Sequence, residues 1–120
     1  MFPRRKFGNK RTKLAGRTFD SRLEAAVFSL LSLRERGGEI CSLSHHPGTV
    51  FLTLARVQYR PDFRWEENGE TRYGEAKGFQ TPEWRIKRRL WQFYGPGPLT
   101  IWAGSAARIT LIETIIPQKS

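Results

Sequence analysis

Acidic residues are scarce in this 120-residue chain, with 11 Asp and Glu against 21 Lys and Arg and a net charge of +10. Aspartate occurs only at Asp20 and Asp62. So little negative charge points to a polyanionic partner, most often nucleic acid. Solubility or a ribosomal-type structural role would need the same balance. There is a single cysteine, Cys41, which excludes an intramolecular disulfide and disfavours a structural zinc site. Its isolation fits a reducing, intracellular compartment, and a cytoplasmic location is expected. No apolar run approaches the ~20 residues that cross a bilayer, so no membrane partner is expected. Residues 1–17 have no apolar stretch of the kind a secretory signal requires.

What is present is the composition of a folded domain, 38% hydrophobic and 27% charged. Residues 1–17 carry Arg4, Arg5, Lys6, Lys10, Arg11, Lys13 and Arg17 and no acid. They read as a basic N-terminal arm that orders on a phosphate backbone, followed by one domain over 18–120. A helix is expected from about Ser21 to Arg36. Ser21 and Glu24 have capping-box spacing, Leu23, Val27, Leu30 and Leu31 share a face, and Gly37-Gly38 ends it. Glu39–Ser44 is a short extended piece, His45-His46-Pro47-Gly48 a turn, and Val50–Ala55 a strand.

Val57, Tyr59, Pro61 and Phe63 then alternate with Gln58, Arg60, Asp62 and Arg64, which is strand periodicity. Asn68-Gly69 is a strong hairpin signal, and Thr71–Lys77 is the returning strand. Pro61 implies an edge position or an interrupted ladder. A second helix starts at Thr81-Pro82-Glu83 and ends at Gly95-Pro96-Gly97-Pro98. Strands over Leu99–Ala103 and Arg108–Ile112 complete a mixed α/β domain with one central sheet.

Centring the hairpin on Asn68-Gly69 sets Asp62 opposite Glu75 and Arg60 opposite Lys77. Opposed residues share a face, so Asp62, Glu75 and Lys77 converge, while Tyr59, Pro61, Phe63, Gly74 and Ala76 form an apolar face for the core. Two facing carboxylates repel unless a cation lies between them, and hard oxygen ligands on a rigid sheet suit Mg²⁺. Such a metal acidifies a bound water and offsets charge on a phosphodiester. A bulged loop would instead make the two acids diagonal neighbours, and a merely solvated Glu-x-Lys face is the plain alternative.

Pro61-Asp62, twelve residues, then Glu75-Ala76-Lys77 resembles the PD-(D/E)xK nuclease signature. Phe7-Gly8-Asn9-Lys10, Phe19-Asp20-Ser21-Arg22-Leu23-Glu24-Ala25, Tyr59-Arg60-Pro61-Asp62-Phe63 and Glu75-Ala76-Lys77-Gly78-Phe79 extend the likeness over residues 7–90. The chain is similar to small phage-type nucleases of that superfamily, and within it to archaeal and phage Holliday-junction resolvases. The resemblance implies a restriction-endonuclease-like αβββαβ core, a central mixed sheet flanked by helices, and Mg²⁺-dependent endonuclease activity in which Mn²⁺ substitutes. It implies Glu24, Asp62, Glu75 and Lys77 as catalytic residues, the three acids holding metal. Glu24 has a competing use as the capping-box partner of Ser21. A further polar position falls among Ser42, Ser44 and His46 without a clean match.

DNA contacts are expected from Arg4, Arg5, Lys6, Lys10, Arg11, Lys13, Arg85, Arg88 and Arg89. Trp84 and Trp91 either pack in the core or stack on bases. The apolar Ile109–Ile116 segment is either a buried strand or a dimer seam. Cutting a four-way junction symmetrically calls for a homodimer with two sites. Nucleases for nicks, flaps or duplex DNA, and a non-catalytic nucleic-acid-binding module, are the alternatives.

Overall fold

The computed structural model describes residues 12–14, 16–77 and 80–118. A short antiparallel hairpin, β1 (Thr12–Leu14) with β2 (Arg17–Phe19), leads into helix α1 (Arg22–Arg36). Part of the stretch expected as an arm therefore belongs to an ordered hairpin. Residues 1–11, with Arg4, Arg5, Lys6, Lys10 and Arg11, lie outside the described residues. Ser21 caps α1, its hydroxyl accepting from Glu24 N at 3.0 Å.

Strands β3 (Cys41–His45), β6 (Phe63–Glu67), β7 (Glu70–Ala76), β8 (Leu99–Ser105) and β9 (Arg108–Ile115) form one five-stranded sheet in the order β3-β6-β7-β8-β9. Helix α2 (Pro82–Tyr94) connects β7 to β8, which pair parallel; the other neighbours are antiparallel. The main elements thus read αβββαβ with β9 added at one edge, a mixed α/β fold. Two more strands, β4 (Val50–Phe51) and β5 (Gln58–Tyr59), form a separate small ladder.

Alternation of side chains divides the core between the two faces of the sheet. Leu23, Val27 and Leu31 of α1 pack with Phe63, Trp65 and Trp102 on one face. Trp84 and Trp91 of α2 pack with Tyr73, Leu99, Ile101 and Ile115 on the other. Gly74 lies between the two indoles of the first face: a Cβ there would sit 2.7 Å from the Trp102 ring and 2.9 Å from that of Trp65. Any larger residue would force both rings off their packing.

The Asn68-Gly69 turn is a two-residue connection, with φ of 53° and 76°. That conformation requires two left-handed residues, which Asn and Gly supply. The register runs Phe63↔Gly74 to Glu67↔Glu70, as the turn dictates. The long strand expected from Val57 does not form. The chain breaks at Arg60-Pro61-Asp62, because proline lacks the N–H that a continuing ladder needs. Arg60 consequently does not pair with Lys77; its Nε donates to Thr49 Oγ1 at 3.1 Å. The strand expected over Val50–Ala55 likewise stops at Phe51, and a turn follows.

Candidate metal and nucleic-acid site

The break at Pro61 shapes the open end of the β6–β7 hairpin. The ladder stops at Phe63↔Gly74, and the next residue back is Asp62. Its side chain takes over as acceptor: Ala76 N donates to Asp62 Oδ2 at 2.9 Å. The Asp62 carbonyl accepts from His46 N at 2.8 Å. Asp62 is thus held from both neighbouring strands.

Glu75 projects from β7 on the α2 side and is 7% exposed. Tyr59 Oη donates to its Oε1 at 2.5 Å, and Lys77 Nζ lies 3.9 Å from its Oε2. Tyr59 therefore reaches the carboxylate instead of lining the opposite apolar face, since β5 has swung out of the β6 line. Lys77 Nζ also lies 5.0 Å from the centre of the Trp84 ring.

Glu24 is buried, at 2% exposure, in the first turn of α1. Its Oε1 accepts from Asp20 N at 3.0 Å, so the carboxylate does serve the helix start. Its Oε2 meets His45 Nε2 at 2.8 Å and His46 Nε2 at 2.9 Å. Of the three polar positions before Asp62, His46 is the one that reaches Glu24. Ser44 pairs with Arg64, and Ser42 sits exposed at an irregularity in β3.

The electrostatics of these acids are coupled. Burial pushes Asp62 well above the usual carboxylate range, and the charges of Glu75 and Glu24 add to it; Ala76 N–H and Lys77 oppose. Burial raises Glu75 from 4.5 to about 7, against the pull of Lys77 and the Tyr59 hydroxyl. Burial and the Glu75 charge likewise push the Tyr59 phenol well above its ordinary value. Burial lowers His45, although its hydrogen bond to Glu24 works the other way. Concentrated carboxylates at this energetic cost fit a hard cation, whose charge relieves both burial and repulsion. Asp62 and Glu75 would hold it; Glu24, expected from the sequence as a third ligand, acts on them only by its charge. The ligand atoms gathered within 4.8 Å among the described residues are, however, those of Glu24, His45 and His46. Asp62 and Glu75 are not in that group and interact with Glu24 through charge alone.

Two clefts flank the Arg60–Asp62 break. One, of about 310 Å³, is lined by Tyr59, Arg60, Glu75, Lys77, Trp84 and Lys87 among others. The other, of about 480 Å³, is lined by Asp20, His46, Thr49, Arg60 and Asp62 among others. On α2, Arg85 and Arg89 are exposed. Arg88 is committed elsewhere, with Nε 2.6 Å and Nη2 2.5 Å from the Glu113 carboxylate. Lys13 is exposed on β1. Trp84 and Trp91 are both core residues, at 3% and 0% exposure.

Of His45, His46 and Tyr59, only His46 stands out in the sequence, as one of three candidate polar positions. The signal available for the first pair was that the chain's two histidines are consecutive and end a strand next to Pro47. For Tyr59, Pro61 gave warning that alternation would fail there. Among the described residues no helix is long and apolar enough to cross a membrane. No curated protein matches the chain. Residues 4–103, a span that holds every acid of the site together with Lys77, His45 and His46, match the family described as protein of unknown function (DUF1064), and the chain belongs to that family.

Proposed function

We propose that this protein is a divalent-metal-dependent, structure-selective DNA endonuclease of the PD-(D/E)xK kind, acting as a Holliday-junction resolvase. The observation that carries the reading is the pair Asp62 and Glu75 at the open end of one hairpin, electrostatically coupled to each other and to Glu24, with Lys77 beside them. A divalent cation bound there supplies an acidified water and offsets charge on the scissile phosphate. Asp62 and Glu75 provide its anionic seat, fixed by Ala76 N–H and by Tyr59 Oη. Lys77 stabilises negative charge developing on the phosphate or orients the attacking water. Arg60 and Lys87 on the cleft wall, with Arg85 and Arg89 on α2, meet flanking phosphates.

A solvated, functionless Asp/Glu/Lys face does not suit a Glu75 that is 7% exposed. The dimer needed for paired cuts is proposed to form along β9, an edge strand with Leu111 and Ile112 exposed and Ile116 exposed just beyond its end. The test offers labelled four-way junction, duplex, single-stranded and flap DNA with Mg²⁺ or with EDTA. Junction cleavage in Mg²⁺ that stops in EDTA is expected. Cleavage of flap or duplex DNA in preference would replace the substrate, and undiminished cleavage in EDTA would overturn the metal reading.

A further inference from the structure

The chain has two histidines, and both direct Nε2 at one buried carboxylate oxygen. Adjacent residues in a strand ordinarily point to opposite faces. His45 sits opposite Phe63 and faces α1, against Phe19 and Phe28. His46 should face away. It turns back because its φ is +56°, a left-handed conformation that is strained for a non-glycine residue. The two rings then stack with centres 3.7 Å apart. Backbone strain is thus accepted to bring a second imidazole to an oxygen that already has one.

The separations suit coordination. Around a metal with bonds of about 2.1 Å, ligand atoms at right angles lie about 3.0 Å apart. Here the nitrogens stand 2.8 and 2.9 Å from Glu24 Oε2, and all three atoms lie within 4.8 Å of one another. Imidazole nitrogen selects Co²⁺ or Zn²⁺ over Mg²⁺, which takes oxygen. The His45 side chain is 5% exposed and fixed among aromatic rings, while that of His46 is 49% exposed and gives a route in from solvent. Asp20 N–H holds the other Glu24 oxygen and orients the carboxylate. His46 and Asp62 line the same cleft, so this position shares an opening with Asp62.

We infer that Glu24, His45 and His46 form a binding site for a borderline divalent transition metal, distinct in ligand chemistry from the all-oxygen position of Asp62 and Glu75. The inference does not rest on nuclease activity. Its test is titration of Co²⁺ into untagged protein carrying Cys41→Ser, which removes the chain's one thiol. A visible ligand-field absorption saturating at one Co²⁺ per chain is expected, displaced by Zn²⁺ and not by equimolar Mg²⁺. His46→Asn, which tolerates the left-handed backbone, should weaken Co²⁺ binding at least tenfold, while Asp62→Asn should leave the spectrum in place. In the unsubstituted protein, Co²⁺ should move the ring protons of both histidines far outside the diamagnetic range, as direct ligation does, a readout that needs no variant. Absence of Co²⁺ absorption, equal displacement by Mg²⁺, histidine ring signals that keep their diamagnetic positions in Co²⁺, or a spectrum unchanged in a folded His46→Asn would each overturn the site. Loss of nuclease activity alone would bear on the proposed function and leave this site standing.

Discussion

The two ends of the β6–β7 hairpin carry acids under opposite regimes. At the turn, Glu66, Glu67 and Glu70 are surrounded by donors: Thr71 Oγ1 on Glu66 at 2.6 Å, Trp65 Nε1 and Arg34 on Glu67, and Arg72 on Glu70. Burial would raise Glu67, but the Trp65 indole and Arg34 outweigh it and hold the carboxyl below its ordinary value. At the open end, burial dominates Asp62 and Glu75, and the donors present leave both raised. One hairpin thus has an end whose negative charge is neutralised by the protein and an end whose charge is left for something else to neutralise. The first is how a surface is stabilised; the second is how a cation site is prepared.

The largest effect expected from breaking this contrast is on chemistry. Asp62→Asn keeps the shape and an oxygen for Ala76 N–H but removes the charge that seats the cation. Cleavage of a junction should fall by orders of magnitude, since each ~1.4 kcal/mol of lost transition-state stabilisation is tenfold in rate. DNA affinity should hold or rise, because a negative charge near phosphate has gone. Glu75→Gln should behave alike, whereas Lys77→Ala should lose both activity and some affinity. A near-native cleavage rate in Asp62→Asn would show that the open end is not the reactive end.

The next effect is on stability against pH. Glu75 titrates near 7 when folded and near 4.5 when unfolded. Below both values it is protonated in both states and contributes nothing. As pH rises through this window the unfolded chain ionises first, so the metal-free fold loses stability, on the order of 3 kcal/mol for a full shift of this kind. Asp62, raised for the same reason, adds in the same direction. Urea unfolding should therefore give a more stable apo protein at pH 5 than at pH 8, with Glu75→Gln flattening the difference and Mg²⁺ restoring stability at pH 8. A curve already flat in the metal-free protein would mean that the open end is as well neutralised as the turn.

Much of this hairpin was readable beforehand because its turn chemistry is local: Asn68-Gly69 admits one register, and the register carries Asp62 toward Glu75. What was not readable is non-local. Tyr59 reaches Glu75 only because Pro61 ends one ladder and lets β5 pair with β4 instead. His46 reaches Glu24 through a left-handed φ that no alternation pattern signals. Arg88 looked like its neighbours Arg85 and Arg89 until β9 brought Glu113 to it. Helical periodicity ranks residues by face, and it does not reveal which member of a basic face meets an acid from a distant strand.

That distinction on α2 gives a smaller, separable effect. Arg85→Ala with Arg89→Ala should reduce the slope of log K for DNA against log salt by about two, since each lost phosphate contact releases about one counterion fewer. Arg88→Ala should change the slope less and cost stability instead, because Glu113 is left half-buried without its bidentate partner. Equal slope changes for all three would place Arg88 on the DNA as well.

The smallest effect tests the turn end itself. Glu67→Gln keeps an oxygen for Trp65 Nε1 but gives up the charge facing Arg34 Nη2 at 3.1 Å. For a partly exposed pair the cost should be about 0.5–1 kcal/mol at neutral pH. The sign with pH is opposite to that at Glu75. A carboxyl held below its ordinary value in the fold contributes stability that is present above the unfolded value, near 4.5, and is lost as pH falls through the folded one. Glu67→Gln should therefore narrow its gap from the native protein at low pH, with junction cleavage unchanged. Glu75→Gln should show its difference between about pH 4.5 and 7 and abolish cleavage. Two glutamates on one hairpin, given the same substitution, should thus bend the stability curve in opposite directions. If both bend it the same way, the two ends do not differ in how their charge is neutralised, and the open end loses its claim to a cation.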